Sequence, residues 1–433
     1  MAPLKVLIAG AGIAGPALAF WLARMPGCEI TIIERSSLLR DTGHQIDFRG
    51  QGIVIMRLMG IEKAVRAALC SEPGLRFIDH RGRSQAFVEA NKTGKGTQSA
   101  TSEFEIMRGD LVNILYEATR DLKGVKYVFN SHIKDFTQDE GSPNGKVHVT
   151  FADGRKEDYD MLVGAEGIRS KVRKLMHGPS FPDPRHDIGA HVAYFTAPSQ
   201  EGDTNDWTMC IMPGRKFVST RKDKPDNIRV YLGLRGNCET LDAAKTLPEQ
   251  KAALVELFKG SEGAQVDRFL KALAESPMAD DLYSQHMTQI RLPEGAWSRG
   301  RVALLGDAAY CPTPFGGGVG TTAALIGAYL LAGELAKQWK EGRESLNTFG
   351  IEKASKEYER HLRPFITSEQ KGHTWFLNAI FPETKLGVWI FHTIVWIVVS
   401  LRIDRLLKNA FSPEESRKLE YPDYFGLQGK SSA

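Results

Sequence analysis

The chain has 433 residues, 42% of them hydrophobic, with 56 Lys and Arg against 52 Asp and Glu. That length suggests two packed domains, and the apolar fraction is enough to fill both cores. The net charge of +4 with no basic block interleaved with aromatics leaves no footprint for nucleic acid; the five dispersed cysteines lack a C-x-x-C pair and point to a reducing, cytoplasmic setting; and the histidines form no metal-ligand spacing.

Residues 5–10, "KVLIAG", read as a short buried strand, after which Gly10, Gly12 and Gly15 form G-x-G-x-x-G and Pro16 opens a helix. These glycines set the stretch apart from a signal peptide. A second strand, "EITIIE", ends in Glu34, 24 residues after Gly10. That is close to the ~20 expected for the acidic residue that holds an adenosine ribose. Strand, turn, helix and acid in register predict a dinucleotide site, and a Glu favours a free ribose hydroxyl, as in FAD or NAD, over a 2′-phosphate.

Farther on, "GHQIDFRGQGIVIMRLMGI" predicts an extended piece leading to a helix from about Gly52 to Met59, and "LRFIDHRGRSQAFVEA" predicts two alternating strands around an "HRGR" turn. Residues 91–101 are polar and read as a loop. "EIMRGDLVNILYEATRDL" reads as strand, turn and amphipathic helix, and further strands carry the chain to "YDMLVGAEG". From Phe181 to Arg291 the pattern becomes turn-rich, with alternating strands and then helices between Pro248 and Ala274. The βα signals resume at "RVALLGDAAY", where a strand is expected to end at Asp307 and a helix to open near Thr321. The cofactor domain is therefore discontinuous.

Four pieces occur in one order: the glycine turn, "EIMRGDL" with Arg108, "DMLVGAEGIRSKVR" with Glu166, Gly167 and Arg169, and "LLGDAAYCPTPFGGGVGTTAALIGAYLLAGEL" with Asp307. Together they resemble the group A FAD-dependent aromatic monooxygenases, the para-hydroxybenzoate hydroxylase type that includes salicylate hydroxylases and tetracycline-inactivating monooxygenases. The resemblance runs from roughly Leu4 to Glu334. Three departures stand out: Tyr310 where the family has His, Glu166 where it has Asp, and a glycine run, "FGGGVGTT", one residue longer. The implied fold is α/β, with a Rossmann-like FAD-binding domain in three parts (1–74, 101–180, 292–365), an inserted, mostly antiparallel β substrate domain (75–100, 181–291) and a C-terminal helical segment (366–433).

By the resemblance, Asp307 binds the ribityl chain, Arg108 lies near the flavin and its phosphates, and the Glu166 motif serves both FAD and the nicotinamide donor. Glycines let backbone approach a flat ring, and a helix opening after them aims unpaired N–H groups at the electron-rich edge of a reduced flavin. The cofactor-binding set is Gly10, Gly12, Ala14, Gly15, Glu34, Arg35, Arg108, Asp307, Gly318, Val319 and Gly320. No metal ligand is assigned. Alternatives stay open for several positions: Arg108 as a surface partner of Asp110 or Glu105, and Arg169 and Arg173 on a solvated helix. The catalytic candidates are Arg49, whose segment lines flavin and substrate in the family or which is an ordinary solvated arginine, and Tyr194. With Trp207, Met209 and Phe217, Tyr194 lies on alternating strands that build either core or pocket.

The implied activity is a monooxygenase with non-covalent FAD: NADH or NADPH reduces the flavin, O2 adds at C4a, and the hydroperoxide transfers one oxygen atom to an aromatic or polyketide/terpenoid-like small molecule. The competing readings are a flavin dehydrogenase or reductase of the same architecture and a non-catalytic flavin-fold binding protein. One segment falls outside this scheme. "LGVWIFHTIVWIVVSL", Leu386 to Leu401, is bounded by Lys385 and Arg402. At about 24 Å it is short of the ~30 Å hydrocarbon core, so it is either a docked helix or a surface resting on a membrane or a partner.

Overall fold

The computed structural model describes residues 3–39, 43, 45–70, 72–90, 103–236, 238–312, 319–342, 346–371, 380–401 and 422–427. Consecutive apolar residues such as Val6, Leu7 and Ile8 are fully buried, which requires a strand covered on both faces. They belong to a six-stranded sheet in the order Ser298–Arg299, Val302–Leu304, Met161–Gly164, Leu4–Ala9, Cys28–Ile33, Val125–Val128. All neighbours are parallel except the first pair. The first helix, Ala14–Leu22, packs on the long helix Val319–Glu341, and both share the main core with this sheet. Val319–Glu341 is long and apolar enough to cross a membrane, but it is buried within the protein. Its Ala, Leu and Gly composition is that of a helix enclosed on all sides.

A second, seven-stranded sheet runs Tyr283–Ile290, Arg185–Pro198, Asn227–Arg235, Lys216–Lys224, Trp207–Met212, Gly74–Ile78, Ser84–Glu89. It is antiparallel apart from the pairing of Trp207–Met212 with Gly74–Ile78. Alternation divides its residues between two clusters. Ala193, Phe195 and Ala197 join the helices Leu247–Phe258 and Val266–Glu275, whose Val266, Phe269, Leu270 and Leu273 recur at helical spacing. Ile188, Ala190 and Val192 face the other way, toward Ile211, Phe217 and Phe381.

One detail corrects the sequence expectations. The strand ends at Leu304 rather than Asp307: Gly306, at φ +64°, turns the chain, and Asp307 opens the short helix Asp307–Tyr310. The next helix is described from Val319 onward, consistent with an opening near Thr321. Helix Thr348–Gln370 is continuous through residues 365 and 366, its Ile351, Tyr358, Leu362 and Ile366 buried in the main core. The polar stretch 91–101 lies outside the described residues, as do residues 313–318 of the glycine loop, Gly318 among them.

Candidate functional site

At the first turn, backbone geometry explains which glycines are needed. Gly10 sits at φ +111°, its N–H donates to the Ile33 carbonyl at 2.8 Å, and a Cβ there would lie 2.5 Å from the Ala165 carbonyl oxygen. A Cβ on Gly15 would lie 2.0 Å from the Gly10 oxygen, so this residue lets helix approach strand. Gly12 differs. The nearest atom to a Cβ there is an Arg108 guanidinium nitrogen at 3.5 Å, so protein packing does not require its bareness. The Glu34 carboxylate is held at the end of its strand by the N–H groups of Ala11 and Ser36, both at 3.1 Å. Arg35, next to it, is exposed. The Ala14 methyl lies 3.0 Å from where a Cβ on Gly306 would be, which seats the first helix against the turn before Asp307.

Arg108 and Asp307 come together over this turn. Arg108 is the first residue of helix Arg108–Glu117; its aliphatic stem covers Gly43, and its charge acts on Asp307. Asp307 itself is exposed, although residues 301–306 and 308–311 around it are all buried. Burial nevertheless pushes its carboxyl above the usual range, against the opposing pull of Arg108 and a hydrogen bond with the Cys311 thiol. Solvent contact and dense surrounding protein coincide where a group lies on the floor of a narrow cleft. A carboxylate there, with Gly12 bare and Arg108 beside it, fits a ligand carrying both hydroxyls and phosphates.

Glu166 works as a backbone organiser. It accepts from the Ser170 hydroxyl at 2.5 Å and from the N–H groups of Lys171 and Val172 at 3.2 and 3.3 Å, at the first turn of helix Lys171–His177. Its carboxyl is raised by burial and lowered by these donors. For Arg173 the alternative of a solvated helix face is set aside. It is buried and donates to the carbonyls of Ala308 at 2.8 Å and Ile168 at 2.5 Å, tying this motif to the Asp307 helix. Arg169 is exposed.

Arg49 is not solvated either. Its Nε lies 2.6 Å from Asp47 and its side chain is 19% exposed. Its N–H donates to the Thr322 hydroxyl at 3.1 Å, which brings segment 47–52 against the first turn of the helix beginning Val319–Gly320. Gly52 permits this approach, since a Cβ there would lie 2.6 Å from the same hydroxyl. Val319 and Gly320 are half-buried, with Pro312 the nearest neighbour to a Gly320 Cβ at 3.9 Å. Tyr194 is on the seven-stranded sheet, 5.0 Å from the Tyr231 ring, and burial raises its phenol. With Tyr231 and Met209 it is partly buried on the face opposite the two helices, whereas Phe217 is core.

One constellation escapes the sequence. Arg221 donates to Glu72 through Nη2 at 2.7 Å and Nε at 3.1 Å, and also to Glu105, while the Trp207 ring lies 4.2 Å from its guanidinium. Gln45 donates to the second Glu72 oxygen at 3.0 Å. Asp47 and Glu105 are direct cross-strand partners, an unfavourable pairing of like charges. Burial, opposed by Arg221 and reinforced by Glu72 and Asp47, pushes Glu105 up to about 7. Alternation hinted at burial here, but nothing local names partners 149 residues apart.

Comparison with known proteins gives concordant matches. A family model described as an FAD binding domain matches residues 3–356. The flavin-dependent monooxygenase eupH of a Phoma species is 56% identical over 430 residues, covering 99% of this chain and 100% of that protein. The FAD-dependent monooxygenase asL6 of Sarocladium schorii is 37% identical, covering 98% and 99%. Among solved structures, tetracycline destructase Tet(51) aligns with a TM-score of 0.73 and 28% identity over 98% of this chain and 100% of its own. Klebsiella pneumoniae HpxO, complexed with FAD and uric acid, shares the fold at a TM-score of 0.68 and 19% identity, over 96% of this chain and 98% of its own.

Proposed function

The chain belongs to the FAD-dependent monooxygenases, and from that premise we propose that it uses NADH or NADPH to insert one oxygen atom of O2 into an aromatic or polyketide/terpenoid-like small molecule. The observation that carries the proposal is the exposed Asp307 amid buried neighbours, under the charge of Arg108, whose guanidinium lies beside Gly12. In this reading Asp307 accepts hydrogen bonds from the ribityl hydroxyls, Arg108 and the Gly10–Gly15 turn hold the phosphates, and Glu34 takes the ribose. Ala14 seats that turn, and Arg35 flanks it. The helix beginning Val319–Gly320 directs its first N–H groups toward the charge of the reduced ring. Gly318, outside the described residues, is proposed for the same contact on the sequence alone.

Bound FAD would supply both the hydride acceptor and the chemistry that activates O2, while the protein supplies position and dryness. Arg49, fixed by Asp47, is proposed to orient ring and substrate, and Tyr194 to line the substrate face with Met209 and Tyr231. A neutral phenol suits an apolar, hydrogen-bonding pocket.

The test is direct. Protein purified yellow should release about one FAD per chain on heating, as the dinucleotide motif requires. Turnover under 18O2 should then place one labelled atom in the product. Unlabelled product would move the protein to the dehydrogenase reading, and a colourless protein that cannot be reconstituted with FAD would remove both.

A further inference from the structure

The described residues include twelve exposed large hydrophobic side chains, and seven of them lie on one stretch, Leu386 to Leu401. The helix Lys385–Ser400 is docked by its inner side. Val388 and Phe391 pack against the open-face cluster of the seven-stranded sheet, Phe391 meets Phe77 at 5.7 Å, and His392 is buried, which lowers its imidazole. Its start is pinned as well: the Thr384 hydroxyl accepts from the Gly387 N–H at 3.0 Å, Lys385 pairs with Glu262 at 2.7 Å, and Glu383 pairs with Arg215 at 2.9 Å. A helix so fixed cannot turn its other face inward.

That other face is mainly apolar and carries no charge, its polar side chains being Thr393 and Ser400. Leu386, Ile390, Ile394, Ile397 and Leu401 recur at helical spacing, and Trp389 and Trp396 are 64% and 57% exposed beside them. His392 is the single ionisable side chain between Lys385 and Arg402, and it points inward. The Thr393 hydroxyl is satisfied by the Trp389 carbonyl at 2.9 Å, so it does not ask for water. We propose that this face seats the protein on a lipid bilayer, with the helix lying in the boundary between headgroups and acyl chains.

Three observations select a bilayer as the occupant. The 16-residue helix is about 24 Å long, short of the ~30 Å needed to span, and is already held by protein along one side. Two tryptophans on the exposed face are the side chains enriched at the headgroup level, and the apolar run is followed in the sequence by Arg402. The patch is also too narrow for a second copy of the chain. A strip about 24 Å by 10 Å offers roughly 240 Å², against the ~800 Å² per partner of a stable interface. A bilayer sets no such threshold, because each side chain that leaves water contributes by its own area.

Full-length, FAD-loaded protein is mixed with vesicles of phosphatidylcholine, with and without phosphatidylserine, and sedimented. The expected result is co-sedimentation, stronger with phosphatidylserine, and quenching of tryptophan emission by brominated phosphatidylcholine. The double variant Trp389→Ser, Trp396→Ser and the single variant Ile394→Lys should each partition at least roughly tenfold more weakly, as interfacial binding scales with buried apolar area. Because these positions face outward, both variants should keep their FAD and their far-ultraviolet circular dichroism. Protein that stays in the supernatant with both vesicles overturns the proposal. So does a dimer in sedimentation equilibrium that the tryptophan variant dissolves, which would make a second copy the occupant.

Discussion

Asp307 holds a polyol most strongly as the anion, and its surroundings pull both ways: dense protein favours the protonated form and Arg108 favours the anion. Asp307→Ala should therefore weaken FAD by ~1.5 to 3 kcal/mol, the range for a charge-assisted hydrogen bond. Circular dichroism should not change, since the side chain is exposed. FAD titration of the refolded apoprotein measures it, and an unaltered affinity would make the residue structural. Glu105 offers a test of sign. Its carboxyl is raised from 4.5 to about 7, so the fold holds a proton there that the unfolded chain releases earlier. Its contribution to stability is full below about 4.5 and is lost as pH rises through about 7. Glu105→Gln, which keeps an acceptor for Arg221 without the titration, should flatten the pH dependence of the melting temperature over that window. A slope identical to the parent's would assign it to other groups. Gly10 and Gly15, where the backbone leaves no room for a Cβ, are legible in the sequence as a tight strand-to-helix turn. Arg221 with Glu72 and Glu105 is not, because a buried ion cluster is defined by distance in space and leaves no spacing along the chain.

Elements explain why two glycines of one motif should respond differently. A methyl at Gly15 would collide with the Gly10 carbonyl at 2.0 Å and force helix Ala14–Leu22 off its strand, whereas a methyl at Gly12 meets nothing closer than 3.5 Å. Gly15→Ala should lose soluble, folded protein. Gly12→Ala should melt within about 1 kcal/mol of the parent, the scale of a glycine's backbone entropy, yet bind FAD clearly more weakly because the added carbon stands toward Arg108. Thermal melts of the apoproteins and FAD titrations separate the two, and equal behaviour would refute the distinction between packing glycine and ligand-facing glycine. Elements also mark where sequence reading stops. Apart from the exposed Asp307, "LLGDAAY" is buried across strand, turn and helix, so no change of period announces that the strand ends at Leu304. The Glu166 motif was readable as a strand followed by a turn. Its grip on the Asp307 helix through Arg173 depends on a buried guanidinium reaching Ala308, 135 residues away.

At the scale of the whole molecule, the seven-stranded sheet is coupled to the Arg108 helix through Arg221. That residue sits on strand Lys216–Lys224 and grips Glu105, which lies three positions before Arg108 on the strand that leads directly into its helix. The sheet is thus joined by an ion pair to the strand that leads into the cation beside Asp307. In the proposed reading the flavin site must exclude water, and the sheet face carrying Tyr194, Met209 and Tyr231 is the element proposed to do so. We expect slow NAD(P)H oxidation without substrate and a rise of at least roughly tenfold with the right one, equivalent to ~1.4 kcal/mol of barrier. Stopped-flow flavin reduction with and without substrate measures it. The same experiment on Arg221→Lys tests the connection, because a lysine keeps the charge but cannot fork to both Glu72 and Glu105. The variant should retain FAD, lose most of the substrate stimulation and release more hydrogen peroxide per NAD(P)H consumed. Undiminished stimulation with tight coupling would mean that Arg221 only holds the two sheets together, and that the signal from substrate to flavin travels by another route.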